Sequence, residues 1–139
     1  MILLDTNVIS EPLKLKADPA VQAWLDRQRA ETLYLTAINL SELLFGIEML
    51  PTGKRKSGLA GALQKLLAEL FEDRILAFDQ EAAQAYSLIA SRAMKKGLAI
   101  SVADCQIAAI AAVHGFEVAT RDMAPFQAAG VPVINPWML

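Results

Sequence analysis

A chain of 139 residues is the length of about one domain and can bury a core of its own. Its hydrophobic fraction of 55% comes largely from Ala and Leu, and no apolar run approaches the roughly 18 residues of a membrane span. The formal charge of −2, with 13 basic against 15 acidic residues, favours no polyanion, so any basic surface must be local. Cys105 and His114 are each single, which excludes an intrachain disulfide and a multi-cysteine zinc site and argues against a histidine-based triad.

Short apolar runs alternate with longer segments of helical period. Ile2–Leu4 reads as a buried strand. Asp5 interrupts this apolar opening too early for the core of a secretory signal, about 7–15 residues long, so the N-terminus reads as structure and a cytoplasmic location is expected. Helices are predicted over 8–13 and 19–29, then a strand at Leu33–Thr36 and a helix over 40–49. The loop 51–58 holds Lys54, Arg55 and Lys56, which reads first as a solvated helix entrance. The helix over 55–71 carries Leu59, Leu63, Leu66, Leu67, Leu70 and Phe71 at 3.6-residue spacing, the stripe of a core-facing helix. A strand over 75–78, helices over 80–96 and Val102–His114, a strand at Glu117–Ala119, a short helix after Asp122 and a strand over 131–134 complete the chain. His114, before Gly115, reads as a last-turn residue. Alternation of this kind predicts an α/β fold, a three-layer α/β/α sandwich with parallel crossovers, formed by residues 1–139 as a single domain.

Ligands of open parallel sheets bind at the carboxyl ends of the strands. Asp5 ends the first strand, Glu42 follows the second by six residues, Asp104 opens the helix that feeds the fourth, and Asp122 follows the fourth. All four can reach one rim. Each also has an ordinary reading as a helix cap: Ser101-Val102-Ala103-Asp104 has the S-x-x-D form, Glu42 lies three residues after Asn39, and Asp5 and Asp122 each precede a helix. Capping does not explain an acid that ends a buried strand. A carboxylate in a first helical turn is also kept ionised by the dipole, and metal coordination needs that form. Asp79, after the third strand, reads as a cap only, because nothing near it in sequence offers a second ligand.

Carboxylates gathered in a cleft repel one another, and a hard divalent cation relieves the repulsion. With four acids neutralised in this way, 13 basic residues face 11 acidic ones, or +2, so a polyanionic substrate is compatible with the composition. In the absence of a usable His or Cys, metal-activated water is the economical nucleophile. These residues thus predict metal-assisted phosphodiester hydrolysis without choosing between RNA and DNA.

The motifs resemble a known family. Leu3-Leu4-Asp5-Thr6-Asn7-Val8-Ile9-Ser10 resembles the opening of PIN domains, as do Leu40-Ser41-Glu42-Leu43 with Gly46, Ala103-Asp104-Cys105-Gln106-Ile107-Ala108-Ala109 and Thr120-Arg121-Asp122. The ending Val133-Ile134-Asn135-Pro136-Trp137 is similar to that of the VapC toxins, particularly FitB-like ones. The resemblance implies a parallel five-stranded sheet, a strand order that brings Asp5 and Asp122 together, and Mg²⁺- or Mn²⁺-dependent endoribonuclease activity. It implies Asp5 and Asp104 as the leading metal ligands, Glu42 and Asp122 completing the acidic site directly or through water, Thr6, Asn7 and Thr120 as supporting hydrogen-bonders, and Arg121 steadying a phosphate. It also implies an antitoxin of the VapB or FitA type, a homodimer, and DNA binding only through the antitoxin.

Two other α/β readings compete. A receiver-like signalling module would use Asp79 as phospho-acceptor on a middle strand and needs a late-strand Lys, which the segment 131–137 lacks. A haloacid-dehalogenase-type phosphatase needs a second Asp two residues after the first, where Asn7 stands.

Overall fold

A computed structural model describes residues 1–139. Five strands, β1 (Ile2–Leu4), β2 (Leu33–Thr36), β3 (Ile75–Leu76), β4 (Glu117–Ala119) and β5 (Val133–Ile134), form one sheet in the order β3-β2-β1-β4-β5, with every pairing parallel. Parallel neighbours need crossovers, and these are supplied by α1 (Thr6–Ser10), α2 (Pro19–Asp26), α3 (Ala37–Glu48), α4 (Lys54–Leu70), α5 (Gln80–Lys95), α6 (Val102–His114) and α7 (Ala124–Ala129).

The alternation of side chains along the strands sorts the core into two layers. Ile2, Leu4, Leu33, Leu35 and Ala119 join Val8, Ile9, Trp24, Leu63 and Phe71 on one face. Leu3 and Val118 join Ile107, Ile110 and Phe126 on the other. Neighbouring residues of β1 therefore belong to opposite layers, as a period of two requires. This is the predicted three-layer sandwich. Most of the predicted α4 stripe is core: Leu63 and, just past the helix, Phe71 are buried, and Leu66, Leu67 and Leu70 pack against the first layer, while Leu59 instead lines a cleft.

Boundaries moved where a cap or a proline overrides periodicity. The helix predicted from 40 starts at Ala37, because Thr36 caps it. Its Oγ1 accepts from Asn39 N at 3.0 Å, while Asn39 Oδ1 accepts from Thr36 N at 3.3 Å. The segment predicted as helix over 8–13 is α only to Ser10 and continues as a 3₁₀ turn at Glu11–Leu13, where Pro12 offers no N–H for an α-helical bond. The helix predicted over 19–29 ends at Asp26, and a second 3₁₀ turn, Ala30–Thr32, leads into β2. The two edge strands are shorter than predicted. Phe78 leaves the ladder to meet Tyr86 edge-on at 6.0 Å, and Pro132 has no N–H to contribute. Gly115 ends α6 in the left-handed region at φ 70°, which a glycine enters without steric cost. No helix is long and apolar enough to cross a membrane.

Candidate active site

The chain lays β2 and β3 to one side of β1 and β4 and β5 to the other, so the connections reverse direction between β1 and β4. A crevice at the carboxyl ends of the strands belongs at that reversal. Asp5 leaves β1 there, and its backbone N–H continues the ladder to Ala119 O at 2.9 Å. Thr120 leaves β4 beside it.

Asp5 is only 6% exposed, and four donors converge on its carboxylate. Oδ1 accepts from Thr6 N at 2.8 Å, which caps α1, and from Asn39 Nδ2 at 3.1 Å. Oδ2 accepts from Thr120 Oγ1 at 2.8 Å and, more loosely, from Asn7 Nδ2 at 3.4 Å. Burial raises the Asp5 carboxyl above its ordinary value. The bonds from Thr120 and the Thr6 N–H oppose that rise, and the charges of Asp104 and Glu42 add to it. The predicted cap is thus real, and it accounts for one of four bonds.

Glu42, on the exposed face of α3, is tied in through Thr6: Asn39 Nδ2 donates to Thr6 Oγ1 at 3.1 Å, and Thr6 Oγ1 donates to Glu42 Oε1 at 2.8 Å. The cap ahead of Glu42 is Thr36 rather than Asn39. Asp104 lies in the first turn of α6, and its N–H donates to the Ser101 cap at 3.1 Å. Its own carboxylate returns no bond to the Ser101 backbone, so half of the capping box is left unmade and the charge acts on Asp5. Asp122 is joined through its backbone, whose N–H donates to Thr120 Oγ1 at 3.0 Å. It does not cap α7, which starts after Met123. Asn7 Oδ1 accepts from Arg121 N at 3.1 Å and so ties the loop after β4 to α1.

The charges of Asp104 and Glu42 thus both act on Asp5, and Asp122 is joined to it through its backbone and Thr120. No three acidic, His or Cys side chains are close enough to enclose a cation by themselves. Mutual repulsion keeps unpaired carboxylates apart. The donors are nevertheless all oxygens, and a Mg²⁺-type ion is commonly held by one or two carboxylates plus water and phosphate oxygens. The residues fit such an ion.

Asp79 follows the edge strand β3 by three residues and caps α5 through Ala82 N at 3.0 Å, as predicted, which removes the middle-strand acceptor a receiver would need. The basic residues 54–56 open α4, and Lys56 pairs with Glu48 at 3.7 Å. A cleft of about 320 Å³ opens beside Thr6 and Glu42, with Arg55 and Lys14 on its wall. The larger cleft, about 420 Å³, lies between α2 and α4 and holds none of the four acids.

Two buried polar residues escaped the sequence reading. Asn39, fully buried, was legible only as a cap, although T-x-x-N after a buried strand also signals an inward-facing amide. Glu11, 4% exposed, carries an ion pair to Lys14 at 2.8 Å and accepts from Asp18 N at 3.2 Å. The bond to Lys14 and the Asp18 N–H, with the charges of Lys14 and Arg121, hold its carboxyl below the ordinary value against the effect of burial.

A parallel α/β sheet with a carboxylate centre at its reversal point defines a class of small acidic-site domains. The PIN domain family matches residues 2–131, and the chain belongs to that family. It is 50% identical to the plasmid stability protein StbB of Pseudomonas syringae pv. tomato over 137 residues, 99% of each chain. It is 48% identical to the VapC ribonuclease Y4jK of Sinorhizobium fredii, over 99% of this chain and 98% of that one. The crystal structure of FitAcB from Neisseria gonorrhoeae superposes with a TM-score of 0.96 at 48% identity, covering all of both chains.

Proposed function

We propose that this protein is a metal-dependent endoribonuclease, the toxin of a toxin–antitoxin pair, acting as a single domain in the cytoplasm. The observation that carries the reading is Asp5. It is a buried carboxylate at the sheet's reversal point, surrounded by neutral donors and by two further acids, with no cation of the protein paired to it. Relatives of nearly equal length at 48% identity are named a VapC ribonuclease and Toxin FitB, which supports the substrate class. The FitAB complex with a DNA fragment, at 47% identity, supports an antitoxin of that type as the partner that reaches DNA.

In this reading Asp5 and Asp104 would hold Mg²⁺ or Mn²⁺, with Glu42 and Asp122 assisting directly or through water. Such a cation would supply Lewis acidity, lowering the pKa of water and stabilising charge on the phosphate. The protein's part is orientation. Asn39 and Thr120 fix the two Asp5 oxygens, Thr6 fixes Glu42, Asn7 holds the loop that carries Asp122, and Arg121 faces substrate phosphate. The test is cleavage of labelled RNA by the purified protein. Activity is expected with Mg²⁺ or Mn²⁺ only, and is lost in Asp5→Asn and Asp104→Asn. Undiminished cleavage in excess EDTA, or by either variant, refutes the reading.

A further inference from the structure

The C-terminal turn comes back to the acidic centre. Thr120 N donates to Ile134 O at 2.9 Å, so the residues after β5 emerge beside the loop that carries Arg121 and Asp122. Asn135, 8% exposed, bends this exit: its Oδ1 accepts from Trp137 N and its carbonyl from Met138 N, both at 3.0 Å. The turn sets the Trp137 indole against the core layer that holds Leu4 and Ile9. The Arg121 guanidinium carbon stands 4.9 Å from the centre of that ring, within cation–π range. The indole Nε1 is buried without a hydrogen-bond partner, so packing and the cation hold the ring, not its own donor.

Arg121 is exposed and makes no ion pair. The guanidinium is therefore seated against a ring while its donors stay available. Its backbone is fixed as well, through Asn7 Oδ1.

We propose that Trp137 is a positioning residue that holds the Arg121 guanidinium as a phosphate-binding arm at the rim of the acidic centre. The inference rests on the ribonuclease reading and extends it to a residue that reading leaves unused. A polyanion approaching Asp5, Glu42 and Asp104 meets like charge, and an arginine on the same loop as Asp122 offsets it. Arginine loses much rotamer freedom on binding, and an arm already fixed against a ring loses less of it when phosphate arrives.

The test is binding of a labelled, mixed-sequence single-stranded RNA in EDTA, between about 50 and 200 mM KCl. One phosphate contact on a single strand contributes about 0.7 to the slope of log K against log salt. Arg121→Ala is expected to lower the slope by about that amount, and Trp137→Ala to match it. Trp137→Phe, which keeps a ring, retains the wild-type slope. Arg121→Ala with Trp137→Ala together binds no worse than Arg121→Ala alone. With metal present, Trp137→Ala raises KM roughly tenfold and moves kcat less than about twofold, the signature of lost ground-state binding. A structural role alone lowers Tm and leaves the slope untouched.

The inference is overturned if Trp137→Ala keeps the wild-type slope, if Trp137→Phe loses as much as the alanine, or if the double variant shows the sum of the two losses. Should the alanine variant not fold, Trp137→Leu, apolar but without a ring, decides on the same slope and is expected to lose as much as Arg121→Ala. A wild type that cleaves RNA while these variants bind it unchanged sinks this inference alone. A wild type whose slope Arg121 and Trp137 set, but which cleaves nothing, sinks the ribonuclease reading alone. A wild type that does not bind RNA at all sinks both.

Discussion

Two buried carboxylates, Asp5 and Glu11, stand six residues apart at opposite ends of α1, and their environments push them in opposite directions. Each is almost sealed from solvent, at 6% and 4% exposed, so each bears the cost of burying a charge. Around Glu11 the answer is cationic: Lys14 at 2.8 Å and the field of Arg121 bring its carboxyl below the ordinary value. Around Asp5 the partners are neutral hydroxyl and amide donors, and burial, with the acidic charges of Asp104 and Glu42 added, keeps its carboxyl above the ordinary value. Burial alone does not separate a structural acid from a candidate metal ligand. The sign of the charge that surrounds it does.

The largest effect that tests this contrast is Asp5→Asn. Cleavage is expected to fall on the order of 10³-fold, about 4 kcal/mol of barrier, while Tm holds or rises by about 3 °C as the buried charge is removed. Thr120 Oγ1 can rotate to accept from the new amide, so the fold has a partner for it. A variant that stays active, or that melts far below the wild type, breaks the contrast.

Metal addition is next. A divalent ion at 100 times its Kd stabilises a protein by about 2.7 kcal/mol if it binds only the folded state. Calorimetry is expected to find a gain of that order for the wild type in Mn²⁺, a much smaller gain for Asp5→Asn, and a full one for Glu11→Gln. Equal gains in all three would place the ion elsewhere.

Glu11→Gln keeps an acceptor for the Asp18 N–H but removes the charge, at a cost of about 1 kcal/mol near neutral pH, since Lys14 is half in solvent. The pH dependence sharpens the comparison, because the two acids have opposite signs. Glu11 has a depressed folded value, so its contribution is present above its ordinary value near 4.5 and lost as pH falls through the depressed one. The gap between wild type and Glu11→Gln is therefore expected to close on acidification. Asp5 has a raised folded value, so its contribution is full below its ordinary value near 3.8 and lost as pH rises through the raised one. Asp5→Asn is accordingly expected to gain on the wild type as pH rises. Urea melts across acid pH read both trends.

Asp79→Ala gives the smallest effect. Loss of the α5 cap costs about 1 kcal/mol, with cleavage and metal stabilisation unchanged. A loss of activity there would mean that a carboxylate reading as a cap in both sequence and structure also serves the site.

Much of the architecture was legible because its causes are local. The apolar run Ile2–Leu4, the stripe on α4 and the cap at Asp79 each depend on residues a few positions apart. Asp5 stood out for the same reason, as a charge ending an apolar strand. Asn39 and Glu11 did not, since what makes them notable is burial and partners brought from a distance. Asn39 reaches Asp5 across 34 positions, and Thr120 reaches it across 115. Pairing of that kind leaves no period in the sequence.

The sequence by itself determined the fold class, the chain order of its elements and the four acids worth watching, because side-chain period and capping act over one or two turns. Only the tertiary structure decided how those acids differ. It made Asp5 the buried hub, tied Glu42 to it through Thr6, and left Asp104 acting through its charge and Asp122 joined by backbone. It also set Trp137 beneath Arg121. The physical reason is that desolvation and Coulomb fields depend on distance through space, and the order β3-β2-β1-β4-β5 creates those distances by laying β1 against β4.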